Sequence, residues 1–292
     1  SIIMESIGLV VRKQFTEGDD IRDAGLVAPE DVERIDDIQY GELPYWQTLD
    51  VYRPKGNDEV LPVIVSIHGG GWVYGDKERY SYYCMSLAQH GFAVINYTYR
   101  LAPEYKFPAS LEDTNAVFTW IFENAKKYKL DLNNVFALGD SAGGHLLSMY
   151  VAIQTDTDYA NNFDLMLPNI KFNAIALNCG AYTIEPEGLT SELMKDLLPK
   201  GGIEEEITLM NTINYVNKDF PPVFLMTCTN DFLQNDATLM ATKLVMNKVP
   251  FEFHYFGNSE LLLGHVFHLN MKLDIAKECN RMECDFFKSY VK

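Results

Sequence analysis

Short apolar runs alternating with longer helix-like stretches constrain this chain most strongly. The runs at Thr48–Tyr52, Pro62–Ile67, Ala93–Tyr97, Val135–Leu138, Ala174–Asn178, Val223–Thr227 and Phe251–Tyr255 read as strands. VIVSI, AVINY and VFLMT are apolar almost throughout, as strands buried on both faces of a parallel sheet must be. Between them, Ser81–His90 stops at Gly91, and Leu111–Tyr128 places Val117, Trp120, Ile121 and Ala125 near a 3.6-residue period. Lys126, Lys127 and Lys129 close that second helix, where positive charge suits the macrodipole. Asp236–Asn247 and Phe267–Tyr290 complete the helical set. This pattern predicts an α/β fold, a mostly parallel central sheet flanked by helices, formed by residues 1–292 as one domain.

Two segments break the alternation. Residues 1–40 are polar and acidic, with a helix expected at Pro29–Asp37, and Ala181–Phe220 is rich in Glu, Gly and Leu. The second, a long insertion between two strands, is expected to form a small lid or cap over a site, because such insertions commonly serve binding. The alternative for 181–220 is a surface helix pair with no role in binding.

Charge and cysteine usage narrow the function classes. Forty-one acidic against 24 basic residues give a formal charge of −17, a field that repels nucleic acid and anionic membrane surfaces. Cys84, Cys179, Cys228, Cys279 and Cys284 are odd in number and scattered, with no CxxC pair. A disulfide framework or zinc site is therefore not expected, and reduced thiols fit a cytoplasmic enzyme. The opening SIIMESIGLVVRKQF is too short in its apolar stretch for a signal peptide, and no run approaches a membrane span. Oligomeric state is not legible.

Two motifs carry chemistry. The run VFAL leads into Gly139-Asp140-Ser141-Ala142-Gly143 and then into the helical stretch AGGHLLSMYVAI. Strand, sharp turn and helix in that order form the setting of a nucleophile elbow, which identifies Ser141 as the nucleophile. Upstream, PVIVSI ends in His68-Gly69-Gly70-Gly71-Trp72. Successive glycines after a buried strand leave backbone N–H groups unobstructed, and a tetrahedral oxyanion needs such donors. The N–H groups of Gly70, Gly71 and Ala142 are assigned to that hole, following the HGGG pattern of esterases. His68 is expected to hold the glycine loop, and Trp72 to pack.

Taken together, HGGGW at 68–72, YRLAPE at 99–104, FPA at 107–109 and GDSAGG at 139–144 resemble the hormone-sensitive-lipase-like branch of the α/β-hydrolases. The resemblance runs from about Leu61 to the C-terminus. It implies a carboxylesterase acting on small-molecule esters through a Ser–Asp–His triad, no metal or organic cofactor, and a cap built from the N-terminus plus an insertion before the acid-bearing strand. The 181–220 segment is in that place, although it is short for such a cap.

In this fold the triad partners follow the nucleophile as acid, then histidine. PVFLMTCT ends in Asn230-Asp231-Phe232-Leu233, so Asp231 is favoured over Asp236, which falls within the next helix. After FEFHY and a loop comes His265, favoured over its competitor His268, three residues further on. His254 reads as a sheet-surface residue, His145 as packed behind the nucleophile and His90 as a helix-end residue. Short-chain ester hydrolysis is thus the expected function. An amidase or arylformamidase using the same triad, and a non-catalytic binding module on this scaffold, are the alternatives.

Overall fold

In the computed structural model residues 6–292 are described; residues 1–5 of the expected N-terminal cap segment, and with them the start of SIIMESIGLVVRKQF, lie outside. Among the described residues, eight strands form one sheet: β1 Val32–Gln39, β2 Thr48–Pro54, β3 Leu61–Ile67, β4 Ala93–Tyr97, β5 Leu130–Asp140, β6 Phe172–Asn178, β7 Val223–Cys228 and β8 Phe251–Phe256. Their spatial order is β1-β2-β4-β3-β5-β6-β7-β8. β2 pairs antiparallel with both β1 and β4, and β4, β3, β5, β6, β7 and β8 run parallel to one another. The seven expected strands are all present, and the fold class is the expected one.

The helices are α1 Ile7–Asp23, α2 Ser81–Ala88, α3 Ala109–Tyr128, α4 Ala142–Thr155, α5 Thr157–Ala160, α6 Leu189–Leu197, α7 Glu204–Met210, α8 Gln234–Met246 and α9 Asp274–Lys288. The alternating side chains of the central strands enter two separate cores. Val63, Val65 and Ile67 of β3 join Leu111 and Phe118 of α3, Leu146 of α4 and Met240 of α8 on one face. Ile64 faces the other way, with Cys84 and Leu87 of α2 and Phe286 and Phe287 of α9. Both faces are dry, so these strands need apolar residues at consecutive positions; each fully buried Val or Ile contributes about 1.5–3 kcal/mol. Among the described residues, no helix is long and apolar enough to cross a membrane.

Two expectations are corrected. The helix expected at Pro29–Asp37 is instead edge strand β1. Val32, Ile35 and Ile38 are spaced by three, which imitates a helical stripe. Val32 enters one core and Ile35 the other, on opposite faces of the strand, and a bulge returns Ile38 to the face of Ile35: Asp36 and Asp37 together oppose Asp50, the register shifts between Ile35 and Ile38, and Asp37 takes φ 60°. The Asp37 N–H donates to the Asp50 carboxylate at 2.9 Å, which pins the bulge. The second correction concerns Phe267–Tyr290, which is not one helix. A 3-10 turn at Phe267–Leu269 is separated from α9, which begins at Asp274.

The N-terminal segment does contain a helix, but earlier than expected. In α1 the Ser6 hydroxyl caps the Leu9 N–H at 3.3 Å. Arg12 then ties the helix to the body, donating to Val73 O at 2.8 Å and Ala102 O at 3.0 Å and pairing with Glu104 at 2.9 Å.

Candidate active site

Because β3, β5, β7 and β8 run parallel, the loops leaving their C-terminal ends share one edge of the sheet, where α/β folds place their ligands. Gly69 follows β3, Ser141 follows β5, Asp231 follows β7, and the loop after β8 delivers His265. An isolated bridge, Asn230 with Gly264, ties the last two loops together, reinforced by the Asn230 N–H donating to Leu263 O at 2.8 Å.

Ser141 has φ 51° and ψ −121°, a conformation L-residues rarely adopt and one held here by its surroundings. Its N–H donates to Asn178 O at 3.2 Å, and its carbonyl accepts from the His145 N–H at 3.1 Å. The turn is tight enough to exclude a side chain at Gly143, where a Cβ would lie 2.1 Å from Ile67 O. That glycine lets α4 start directly against the end of β3.

The three expected triad side chains meet. His265 Nε2 lies 3.0 Å from Ser141 Oγ, and His265 Nδ1 lies 2.7 Å from Asp231 Oδ1. Asp231 Oδ1 also accepts the Leu233 N–H at 3.0 Å, and Oδ2 accepts the Thr227 hydroxyl at 2.7 Å. Burial pushes the Asp231 carboxyl up, but the His265 hydrogen bond and charge, the Thr227 hydroxyl and the Leu233 N–H outweigh it and hold the group below the usual carboxylate range. An ionised Asp231 fixes a proton on Nδ1, leaving Nε2 to accept from the serine. Thr227 escaped the sequence reading, although a hydroxyl inside an apolar strand, four residues before the acid, was its signal.

Gly69, Gly70 and Gly71 border the same cavity as Ser141, Ala142 and His265. Among the described residues, the Gly70 and Gly71 N–H groups have no hydrogen-bond acceptor. Ala142 opens α4, where the first-turn N–H groups lack helical partners. Gly70 adopts φ 127°, and a Cβ there would fall 2.0 Å from Tyr74 O, so no other residue fits. The loop is fastened from behind: the Gly69 N–H donates to Tyr80 Oη at 2.9 Å, and Tyr80 Oη donates to Asp140 Oδ1 at 2.8 Å.

The remaining histidines stand apart from the serine. His68 is fully buried, stacks on Tyr99 at 4.0 Å, and its Nδ1 lies 2.6 Å from Gly69 O. Burial holds its pKa below the ordinary value, so the ring is neutral and serves the loop. His145 is buried behind the nucleophile, accepting from Trp72 Nε1 at 3.3 Å and donating from Nε2 to Met210 O at 2.8 Å. Burial lowers it to about 4. His254 lies on β8 beside Glu252 at 2.8 Å. His268 is buried in the 3-10 turn and faces Asp140. The competing acid, Asp236, accepts the Tyr182 and Thr183 N–H groups at 2.7 and 3.0 Å and anchors the chain after β6.

The cavity measures about 270 Å³ and is walled mainly by apolar side chains. Phe15 comes from α1, Leu189 and Leu193 from α6, and Phe232 and Leu269 from the triad loops. None of these wall residues stood out in the sequence, since single apolar residues on polar helices carry no motif. All five cysteines are free and buried. Cys179 Sγ, Asp231 and His265 offer ligand atoms within 4.8 Å of one another, but Asp231 Oδ1 and His265 Nδ1 are engaged with each other.

The family model described as BD-FAE matches residues 49–237, more than half of the chain. Carboxylesterase NlhH of Mycobacterium tuberculosis is 30% identical over 217 residues, covering 69% of this chain and 66% of its own length. Versiconal hemiacetal acetate esterase of Dothistroma septosporum is 29% identical over 226 residues, covering 71% and 68%. The chain spans 60% of the length of an alpha/beta hydrolase from Acanthamoeba polyphaga mimivirus, to which it is 27% identical. Esterase B from Lactobacillus rhamnosis superposes with a TM-score of 0.88 at 27% identity, covering 97% of this chain and 93% of that one. The carboxylesterase EstE1 shares the fold, with a TM-score of 0.78 at 20% identity over the full length of both chains. These relatives bear out the resemblance to hormone-sensitive-lipase-like hydrolases. The chain has the α/β-hydrolase fold and belongs to the BD-FAE family.

Proposed function

We propose that this protein is a serine carboxylesterase that hydrolyses short-chain esters through an acyl-enzyme, with Ser141, His265 and Asp231 as the triad. The observation that carries the proposal is the pair of contacts at 3.0 Å and 2.7 Å linking Oγ, imidazole and carboxylate at the wall of an apolar cavity.

His265 Nε2 takes the Ser141 proton as Oγ attacks the ester carbonyl carbon. Asp231 stabilises the imidazolium that results. The oxygen that becomes negative is received by the Gly70, Gly71 and Ala142 N–H groups, fixed dipoles that need no reorganisation. As the tetrahedral species collapses, the carbon–oxygen bond to the alcohol breaks, and His265 returns the proton to the leaving oxygen. Water then repeats the sequence on the acyl-serine, and the carboxylic acid departs.

The chain-length preference follows from the cavity. At about 270 Å³ it lies just below the roughly 300–1,000 Å³ range for small-molecule sites, room for a short acyl group and a small alcohol. We assign α1 and the Ala181–Phe220 segment as the cap, since Phe15, Leu189 and Leu193 line the same cavity as Ser141 and His265. Esterase B has been crystallised inhibited by a tributyrin phosphonate, a short-chain ester mimic. The testing experiment is a series of p-nitrophenyl esters from acetyl to palmitoyl. The expected kcat/KM maximum falls among the short acyl groups; a maximum at palmitoyl overturns the chain-length assignment.

A further inference from the structure

A second histidine lies close behind the nucleophile turn, in a buried cluster that the triad chemistry does not use. His268, Asp140, Tyr80, Tyr83, Asn178 and Glu283 are all buried among the described residues. Asp140, the residue before Ser141, reaches both ways. Its Oδ1 accepts the Tyr80 hydroxyl at 2.8 Å, and Tyr80 in turn receives the Gly69 N–H of the oxyanion loop at 2.9 Å. Its Oδ2 has no well-aligned hydrogen-bond donor among the described residues, and the His268 imidazole faces it with Nε2 at 3.4 Å. The loop rests on the elbow here, since a Cβ on Gly69 would stand 2.8 Å from Asp140 Oδ1 and 3.1 Å from Ser141 Cβ.

The other side of the imidazole leads back to the same serine. Tyr83 packs edge-on against His268, with ring centres 5.2 Å apart, and its hydroxyl donates to Glu283 Oε2 at 2.9 Å. Glu283 Oε1 accepts the Asn178 amide at 2.9 Å, and Asn178 O accepts the Ser141 N–H. Burial pushes the Glu283 carboxyl above the usual carboxylate range.

We propose that His268 is a positioning residue for the ester hydrolysis: through Asp140 and Tyr80 it sets the oxyanion loop against the nucleophile turn. The inference rests on the serine-esterase reading. A carboxylate held from one side is free to swing, and a loop hung from it moves with it. A donor on Oδ2 fixes the plane of the carboxylate and hence the height of Gly69, and with it Gly70 and Gly71. The effect belongs to the transition state, so kcat should respond and KM should not.

The test compares His268→Ala, His268→Gln and Tyr80→Phe on p-nitrophenyl acetate, with active sites counted by fluorophosphonate titration so that kcat is per working serine. His268→Ala should lower kcat about 10–100-fold, or about 1.4–2.7 kcal/mol at 1.36 kcal/mol per decade, with KM within about twofold. His268→Gln, which can return an N–H to Oδ2, should recover most of the loss. Tyr80→Phe, which cuts the same chain on the loop side, should lower kcat in the same way, and it carries the test if His268→Ala does not fold. An unchanged kcat per titrated serine in His268→Ala or in Tyr80→Phe overturns the inference, as does a loss confined to KM. A native protein that neither hydrolyses the ester nor takes the probe instead refutes the esterase reading, and this inference falls with it.

Discussion

Replacing Gly143 by Ala is the smallest change that tests how closely the nucleophile turn is built. The added methyl would sit 2.1 Å from Ile67 O and 2.7 Å from His68 O, both backbone atoms with no side-chain freedom to retreat. Ordinary contact begins near 3.4 Å, so α4 must withdraw from the end of β3 by about 1.3 Å. Overpacking of this kind costs about 1–3 kcal/mol of stability. The functional effect should be larger, because the shift separates Ser141 and the Ala142 N–H, both carried by α4, from Gly70 and Gly71, which follow β3. A displacement of about 1 Å at a reacting group can cost about 100-fold in rate. The assay pairs urea unfolding with kcat/KM on p-nitrophenyl acetate. The prediction is a lower unfolding midpoint and a kcat/KM reduced by about 100-fold in protein that is still folded. A variant with native midpoint and native kcat/KM would refute the close approach on which the elbow argument depends.

Asp231→Asn should keep the fold and lower kcat by about 10⁴-fold, because a neutral amide neither fixes the Nδ1 proton nor balances the imidazolium; stopped assays with concentrated enzyme measure it. The same carboxyl has a depressed folded-state pKa, so its contribution to stability is complete above the unfolded value near 4 and is lost as pH falls through the lower folded value. Unfolding free energies measured from pH 5 to 2.5 should therefore fall less steeply in Asp231→Asn than in the native chain. Arg12→Ala removes the contacts to Val73, Ala102 and Glu104, and should raise KM and open α1 to limited proteolysis while leaving Ser141 reactive to a fluorophosphonate. Every cysteine is buried, so Ellman's reagent should find no fast-reacting thiol in the native protein and all five after denaturation in guanidinium.

The central strands were legible because both their faces are dry. A residue such as Ile64 must be apolar as much as its neighbours Val63 and Val65, and the run announces itself. Edge strand β1 sends Val32 to one core and Ile35 to the other, and a bulge at Asp36–Asp37 breaks the period of two before Ile38, so its apolar residues take on a helical spacing. The length of the last helix was misjudged because Asn270-Met271-Lys272-Leu273 contains neither Gly nor Pro, and the chain turns there without either punctuation. The candidate site was legible where the proposed chemistry demands a particular residue type in a particular turn, as at Ser141, Asp231 and the glycine loop. Tyr80 and Thr227 were not, since each works through one hydroxyl whose partner lies on another element or on the next turn of the chain. His265 and His268 are three residues apart, and the chain direction after Gly264 decides between them. With Val266 at φ 56°, His265 is directed toward the serine, and His268 is buried behind Asp140.

Covalent capture of the nucleophile tests the central claim most directly. The native protein treated with a fluorophosphonate probe should gain one adduct per chain by intact mass, mapped by peptide sequencing to Ser141, with loss of esterase activity in proportion. Ser141→Ala should take up none. An adduct on another residue, or esterase activity that persists in Ser141→Ala, would contradict the account.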